Sequence, residues 1–332
     1  MEKISQERKM TGPRTDADPL RVVAAHRDSH SECSRDAFDL KTTTSELQIL
    51  VHQLERWLKG RKPDRLRYRL SPQDFTKLTG EYEEKLSLET VRYDYYSDTH
   101  EFVLLMPTLK HEVVHIGLSR LLLEKTDHLC DTHSVGRPVE PAGRTDIESE
   151  QGDVFQPDEQ IWCRTAERPG LVLLVGSSHE VKELRRKAFR IIQAGKGQIR
   201  LVVTVKLLQD SRVDLTVWRP SLTSDDPPKL TAKHVNQGMR NTNGELVPGA
   251  QLEIPMAELA PPKSLPDSLR SETIIITAEE LCGIVKHAED LEKHREDLDK
   301  GKVAEELYED FPTDIECASS PASSFFDFDR AE

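Results

Sequence analysis

Leu171-Val172-Leu173-Leu174-Val175-Gly176 is an unbroken apolar run. It has the length of a strand, and with no polar position left to face water such a strand must be covered on both faces. The chain then enters Glu180–Gln193, where Val181, Leu184, Ala188, Ile191 and Ile192 share one side of a helix and basic residues fill the rest. Gly195 and Gly197 stop that helix. Ile199–Leu208 and Val213–Trp218 read as two further strands. A doubly covered strand followed by helix and strand favours an α/β fold with a mixed sheet flanked by helices.

Upstream, Leu47, Leu50, Val51, Leu54, Trp57 and Leu58 recur at helical spacing. A short helix follows around Gln73–Lys85. Val91, Tyr93 and Tyr95 alternate with polar residues as in a half-buried strand, and Phe102–Met106 forms its neighbour. Pro107 ends that strand, and Thr108 caps a helix expected over Leu109–Lys125. Residues 131–153 read as a long loop, and Gln160–Arg164 as a short strand after Pro157-Asp158. Beyond Pro220, short strands are expected near Gln251–Ile254 and Glu272–Ile276. Thr277-Ala278-Glu279-Glu280 is a capping box opening a last helix.

Charge is distributed unevenly. The chain of 332 residues carries a net −13. From Ala288 to Glu332 there are 15 acidic and 5 basic residues, and from Glu180 to Lys206 there are 8 basic and 2 acidic. The acid therefore concentrates in a tail, and a basic strip lies on the helix after the apolar strand. A basic strip is the kind of surface that holds phosphates. Residues 1–42 are polar, charged and without periodicity, which predicts disorder. No apolar run approaches about 18 residues, so no membrane span is expected. Met1–Glu7 has no apolar signal region, and Cys33, Cys130, Cys163, Cys282 and Cys317 are scattered without metal-finger spacing. The expectation is an intracellular protein, cytoplasmic or nuclear.

Several short motifs follow one another in a set order. Met106-Pro107-Thr108 precedes His111-Glu112, then come Pro157-Asp158, Leu171–Ser178 and Lys182-Glu183-Leu184. Gly197–Val203 and Leu215–Pro220 complete the series. This order resembles a large group of uncharacterised fungal proteins, themselves similar to the Uma2-type restriction-endonuclease-like family of the PD-(D/E)XK nuclease superfamily. The resemblance spans residues 90–292. Together with the composition and periodicity of the flanks, it divides the chain into four expected regions: 1–42 disordered, 43–87 a helical extension, 88–292 the nuclease-like domain, and 293–332 a helix end with a disordered acidic tail.

The resemblance also implies chemistry. Asp158 fits the first metal carboxylate, and Glu112 an acid on the first helix, so both are candidate ligands for Mg²⁺. Hard divalent cations need several such oxygens. The second sheet carboxylate would stand at Leu174 and the lysine at Gly176. Lys182, in the triplet Glu180-Val181-Lys182, is the substitute charge stabiliser. Arg185, Arg186 and Arg190 are candidate phosphate contacts, which makes the helix and its flank, 180–200, the expected nucleic-acid surface. With leucine at 174 the expectation is a degenerate nuclease, its Mg²⁺ weakly held or lost.

Two other readings compete. A non-catalytic interaction scaffold would engage a protein partner through the C-terminal helix and acidic tail. His111-Glu112-Val113-Val114-His115 matches a zinc-protease pattern, with two histidines four apart on one helix face. Leu118 and Leu121 stand where the extended form of that pattern has Gly and His.

Overall fold

The computed structural model describes residues 45–60, 66–84, 86, 88, 91–177 and 181–299. The segments expected to be disordered, 1–42 and the tail from 300, lie outside the described residues, as does Glu180. The elements run α1 (Glu46–Leu58), β1 (Arg67–Arg69), α2 (Pro72–Glu81), β2 (Arg92–Tyr96), β3 (Glu101–Leu105), α3 (Leu109–Thr132), β4 (Val139–Pro141), β5 (Ile147–Glu148) and β6 (Val154–Phe155). They continue with β7 (Glu159–Cys163), β8 (Leu171–Ser177), α4 (Val181–Ala194), β9 (Leu201–Leu207), β10 (Val213–Leu222), β11 (Leu230–Arg240), β12 (Gln251–Pro255), α5 (Met256–Leu259), β13 (Thr273–Thr277) and α6 (Ala278–Asp299).

The apolar run becomes β8, near the middle of a six-stranded sheet ordered β11-β10-β9-β8-β7-β4. β8 and β9 pair in parallel across α4, while β10 pairs antiparallel with β9 and β7 with β8, so the sheet is mixed. Successive side chains of a strand point to opposite faces. Leu171, Leu173 and Val175 accordingly pack with Val114, Leu118 and Leu122 of α3 and with Leu281 and Val285 of α6. Val172 and Leu174 pack with Leu184, Ala188, Ile191 and Ile192 of α4. Each such side chain contributes about 1.5–3 kcal/mol when fully buried. A layer of helix therefore covers each face of the sheet, the α/β architecture the run demanded.

A second sheet, ordered β1-β3-β2-β6-β5, is built on aromatic contacts. Phe75 stacks on Tyr95 at 4.0 Å, and Tyr93 on Phe102 at 5.1 Å. Leu47, Leu50 and Leu54 of α1 close this cluster. The segment 43–87, expected to be a helical extension, thus also supplies β1, which pairs with β3 from Arg67↔Val103 to Arg69↔Glu101. The loop expected over 131–153 contains β4 and β5, and α3 runs a further two turns past Lys125 because Thr126 and Cys130 are buried against the core.

Strand β11 was not expected, and β10 continues through Pro220. β9 stops pairing with β10 at Trp218, so at Pro220 one side of β10 is a free edge, where a residue lacking N–H is tolerated. Thr277 forms the expected capping box. It accepts from Glu280 N at 3.2 Å, and its own N donates to Glu280 at 2.9 Å. α3 and α6 approach closely at Gly117, where a Cβ would stand 2.6 Å from Ile284 Cγ2. No helix among the described residues is long and apolar enough to cross a membrane.

Glu289 ties α6 to its neighbours. It accepts from Arg240 Nη1 and Nη2 at 3.0 and 2.6 Å and from Lys110 Nζ at 2.9 Å. Burial raises its carboxyl, but these donors outweigh burial and hold it below the ordinary 4.5. A depressed carboxylate stabilises above its unfolded value and loses that contribution as pH falls through the folded one. Glu289→Gln is therefore expected to lose about 1 kcal/mol at neutral pH. The difference from the native chain should vanish as the pH drops well below 4.5. Urea midpoints measured across that range test this, and an equal loss at every pH would refute it.

Candidate functional site

A cleft of about 390 Å³ opens at the carboxyl ends of the parallel pair β8 and β9, with Leu174, Val175, Leu207 and Leu208 in its lining. In open α/β sheets this is where ligands are held. Thr108 positions the first turn of α3 by accepting from His111 N at 3.2 Å, which turns His111 and Glu112 toward the sheet. Asp158 precedes β7. Its N–H donates to Leu173 O at 3.1 Å, and its Oδ2 accepts from Val175 N. The carboxylate is thereby stapled across β7 and β8.

Asp158 is 5% exposed. A buried anion needs a positive partner, and two reach it. Arg92, from β2, donates through Nη2 to Asp158 Oδ1 and through Nη1 to Glu112 Oε1, the latter at 3.1 Å. His111 Nε2 lies 3.2 Å from the same Asp158 oxygen. Glu112 is also held on its second oxygen, by Arg144 Nη2 at 2.9 Å. His115 Nδ1 stands 3.5 Å from that oxygen. Every carboxylate oxygen of Asp158 and Glu112 therefore already faces a donor.

These contacts set the charges. Burial alone would raise Asp158, but the cationic His111, followed by Arg92 and Lys187, holds it well below the ordinary carboxylate range. Burial likewise works against a charged His111, yet Asp158 and Glu112 push its value up to about 9. His111 is the largest influence bringing Glu112 down to about 2, although at 3.6 Å their approach is an ion-pair contact rather than a hydrogen bond. One helical turn on, burial lowers His115 instead. The two histidines of one face are thus shifted in opposite directions.

The far wall of the cleft holds a second buried pair. Lys187 Nζ lies 2.8 Å from Asp94 Oδ1 and donates to Gln156 O at 2.7 Å. Gln156 N donates to Asp94 at 3.1 Å. Burial pushes Asp94 up, with Lys187 acting against it.

Asp158 and Glu112 are brought together, bridged by Arg92 and His111. Lys182 stands on the exposed side of α4 and does not line the cleft, whereas Lys187 does. Arg185 is exposed. Arg186 lies 3.8 Å over the Tyr96 ring and donates to Glu101 at 2.7 Å. Arg190 donates to Asp98 and sits 3.9 Å from Asp153. These two arginines are therefore engaged with the second sheet. Leu174 is 1% exposed and touches the cleft floor. Sequence reasoning missed Arg92, Asp94 and Lys187. The one available signal was charge inside the otherwise aromatic stretch Arg92–Tyr96.

Comparison with known proteins gives little. No protein-family model matches the chain, and no curated protein matches it. A matching solved structure is that of a DUF820 protein from Anabaena variabilis ATCC 29413, described as a candidate nuclease. The identity is 11% and the TM-score 0.34, over 58% of this chain and 90% of that one. A likeness at this level assigns neither family nor activity.

Asp158→Asn keeps the shape and removes the charge. It takes from the buried Arg92 one of its two carboxylate partners and leaves Glu112. It is therefore expected to cost less than the figure of about 3–5 kcal/mol for a fully unpaired buried charge. The raised His111 contributes stability that is full below its ordinary 6.5 and is lost as pH rises through about 9. In the variant, the midpoint of His111 followed by NMR should fall from about 9 toward 6.5 or below. An unchanged midpoint would show that the carboxylate does not face the imidazole.

Proposed function

We propose that this chain keeps a nuclease-like α/β fold but does not hydrolyse phosphodiesters, its metal centre having been replaced by internal ion pairs. One observation carries the reading: Asp158, in the place of the first metal carboxylate, is neutralised by Arg92 and His111. A Mg²⁺ centre of this kind needs at least two free carboxylate oxygens alongside water. Leu174 supplies none, and both oxygens of Glu112 face cations. The donor set does not fit Mg²⁺, so no hydrolytic step follows from it.

The protease reading is not favoured either. Glu112, which would have to activate water, is bound by Arg92 and Arg144 and held down to about 2, too weak a base for that role. A role in binding remains. On α4 the exposed Lys182 and Arg185 could meet phosphates, while Arg186 and Arg190 hold the helix to the second sheet. An interaction scaffold is the second reading. It draws on α6, whose outer end leaves Leu291 and Leu298 exposed among acidic residues.

The test is a cleavage assay on single- and double-stranded DNA and RNA with Mg²⁺ or Mn²⁺. The native chain is expected to be silent. Metal-dependent cleavage that disappears in a folded Asp158→Asn variant would overturn the proposal. Leu174→Glu restores the missing carboxylate, and cleavage gained by that variant would place the loss of chemistry at this residue. If nucleic acid binds, Lys182→Ala with Arg185→Ala should flatten the salt dependence by about two counterions. Arg186→Ala should instead lower the melting temperature.

A further inference from the structure

We infer that His111, Glu112 and His115 form a binding site for one divalent cation of the zinc class, with Asp158 as the outer carboxylate paired to His111. One ligand atom from each of the three residues lies within 4.8 Å of the other two. The Nδ1 atoms are the ones that face Glu112, at 3.6 Å from His111 and 3.5 Å from His115. Both Nδ1 atoms are buried and neither has a hydrogen-bond partner. His115 is 5% exposed, so its unmade bond is a cost that a structural histidine would normally avoid.

The surroundings match a metal-bound imidazole rather than a packed one. A ligating histidine usually gives its other ring N–H to a carboxylate, which fixes the tautomer and the ring. His111 has such a carboxylate beside its other nitrogen, with Nε2 in ion-pair contact 3.2 Å from Asp158 Oδ1. Histidines four apart on a helix share a face, and the rings of His111 and His115 are 5.8 Å between centroids. Around a tetrahedral zinc ion with bonds of about 2.0–2.1 Å, ligand atoms stand roughly 3.4 Å apart. The three residues must therefore close by about an ångström, a movement within the reach of side-chain rotation. On binding, the ion takes the place of any proton on His111 Nδ1.

The donor set selects the class of ion. Two imidazole nitrogens suit zinc and its neighbours, whereas Mg²⁺ takes oxygen. Glu112 already shares its charge with Arg92 and Arg144, so it contributes one modest donor and not the anionic cage a hard cation needs. This arrangement also differs from the protease pattern, because Glu112 binds the ion itself and is not a base beside it. The inference goes beyond the non-hydrolytic reading: Mg²⁺-dependent cleavage would overturn that reading and leave the zinc-class site in place.

The test titrates Zn²⁺ and Co²⁺ into the full chain after chelator treatment, by calorimetry and by Co²⁺ absorption. One equivalent should bind, and a large excess of Mg²⁺ should not displace it. His111→Gln and His115→Gln should each weaken binding at least tenfold, and Asp158→Asn by roughly tenfold or more. Should a variant fail to fold, NMR of the native chain decides instead, because Zn²⁺ must shift the imidazole signals of His111 and His115 first. Absence of stoichiometric binding overturns the inference. So does binding that both glutamine variants retain, or binding that moves only other histidines.

Discussion

The buried Asp158 carboxylate organises this molecule. A charge withdrawn from water is tolerable only with a cation and hydrogen bonds fixed around it. Here the hydrogen bond comes from β8 through Val175 N, and the cations come from β2 as Arg92 and from α3 as His111. One side chain therefore ties the six-stranded sheet to the second sheet and to the long helix. Arg92 extends the tie to Glu112, and Glu112 extends it to Arg144 in the loop after β4.

Leu174 is the counterpart of that arrangement on the other face. Alternation along β8 sends residues 172 and 174 toward α4, where Leu174 meets Leu184 and Ala188. Leu174 also lines the floor of the cleft. Leucine gives α4 an apolar contact there. The charge that balances Asp158 comes from Arg92 and His111, within the fold.

The parts of the fold that were legible in the sequence are those where apolar spacing is decisive. β8, α4 and β9 follow from a continuous run and an amphipathic helix, and the cap of α6 follows from Thr277 and Glu280. What escaped is instructive. β2 is buried at all five positions, so Arg92 and Asp94 look like the polar half of an alternating strand but face inward with partners. β11 carries a mixed, largely polar pattern without clear alternation, and it is held to β10 by the backbone ladder with the Thr216–Asn236 hydrogen bond and the Trp218–His234 stack. In the candidate site, Asp158 and Glu112 were identifiable by their residue type and neighbours. Choosing Lys187 over Lys182 requires knowing which face of α4 meets the cleft. Apolar spacing does contain this, since Leu184, Ala188 and Ile191 bracket Lys187.

A local count of basic residues overstates how much of α4 is available to phosphates. Arg186 and Arg190 face Asp98, Glu101 and Asp153 from the second sheet, and Lys187 faces Asp94. The helix is basic because the surface it packs on is acidic, and opposite charges across that contact set how helix and sheet meet. Partly buried, these pairs are weakly screened by salt. The same logic runs through the cleft, where Arg92, His111 and Lys187 are matched to carboxylates of the chain itself. Two buried histidine nitrogens beside Glu112 are the exception, and they are the groups whose chemistry favours a metal softer than Mg²⁺.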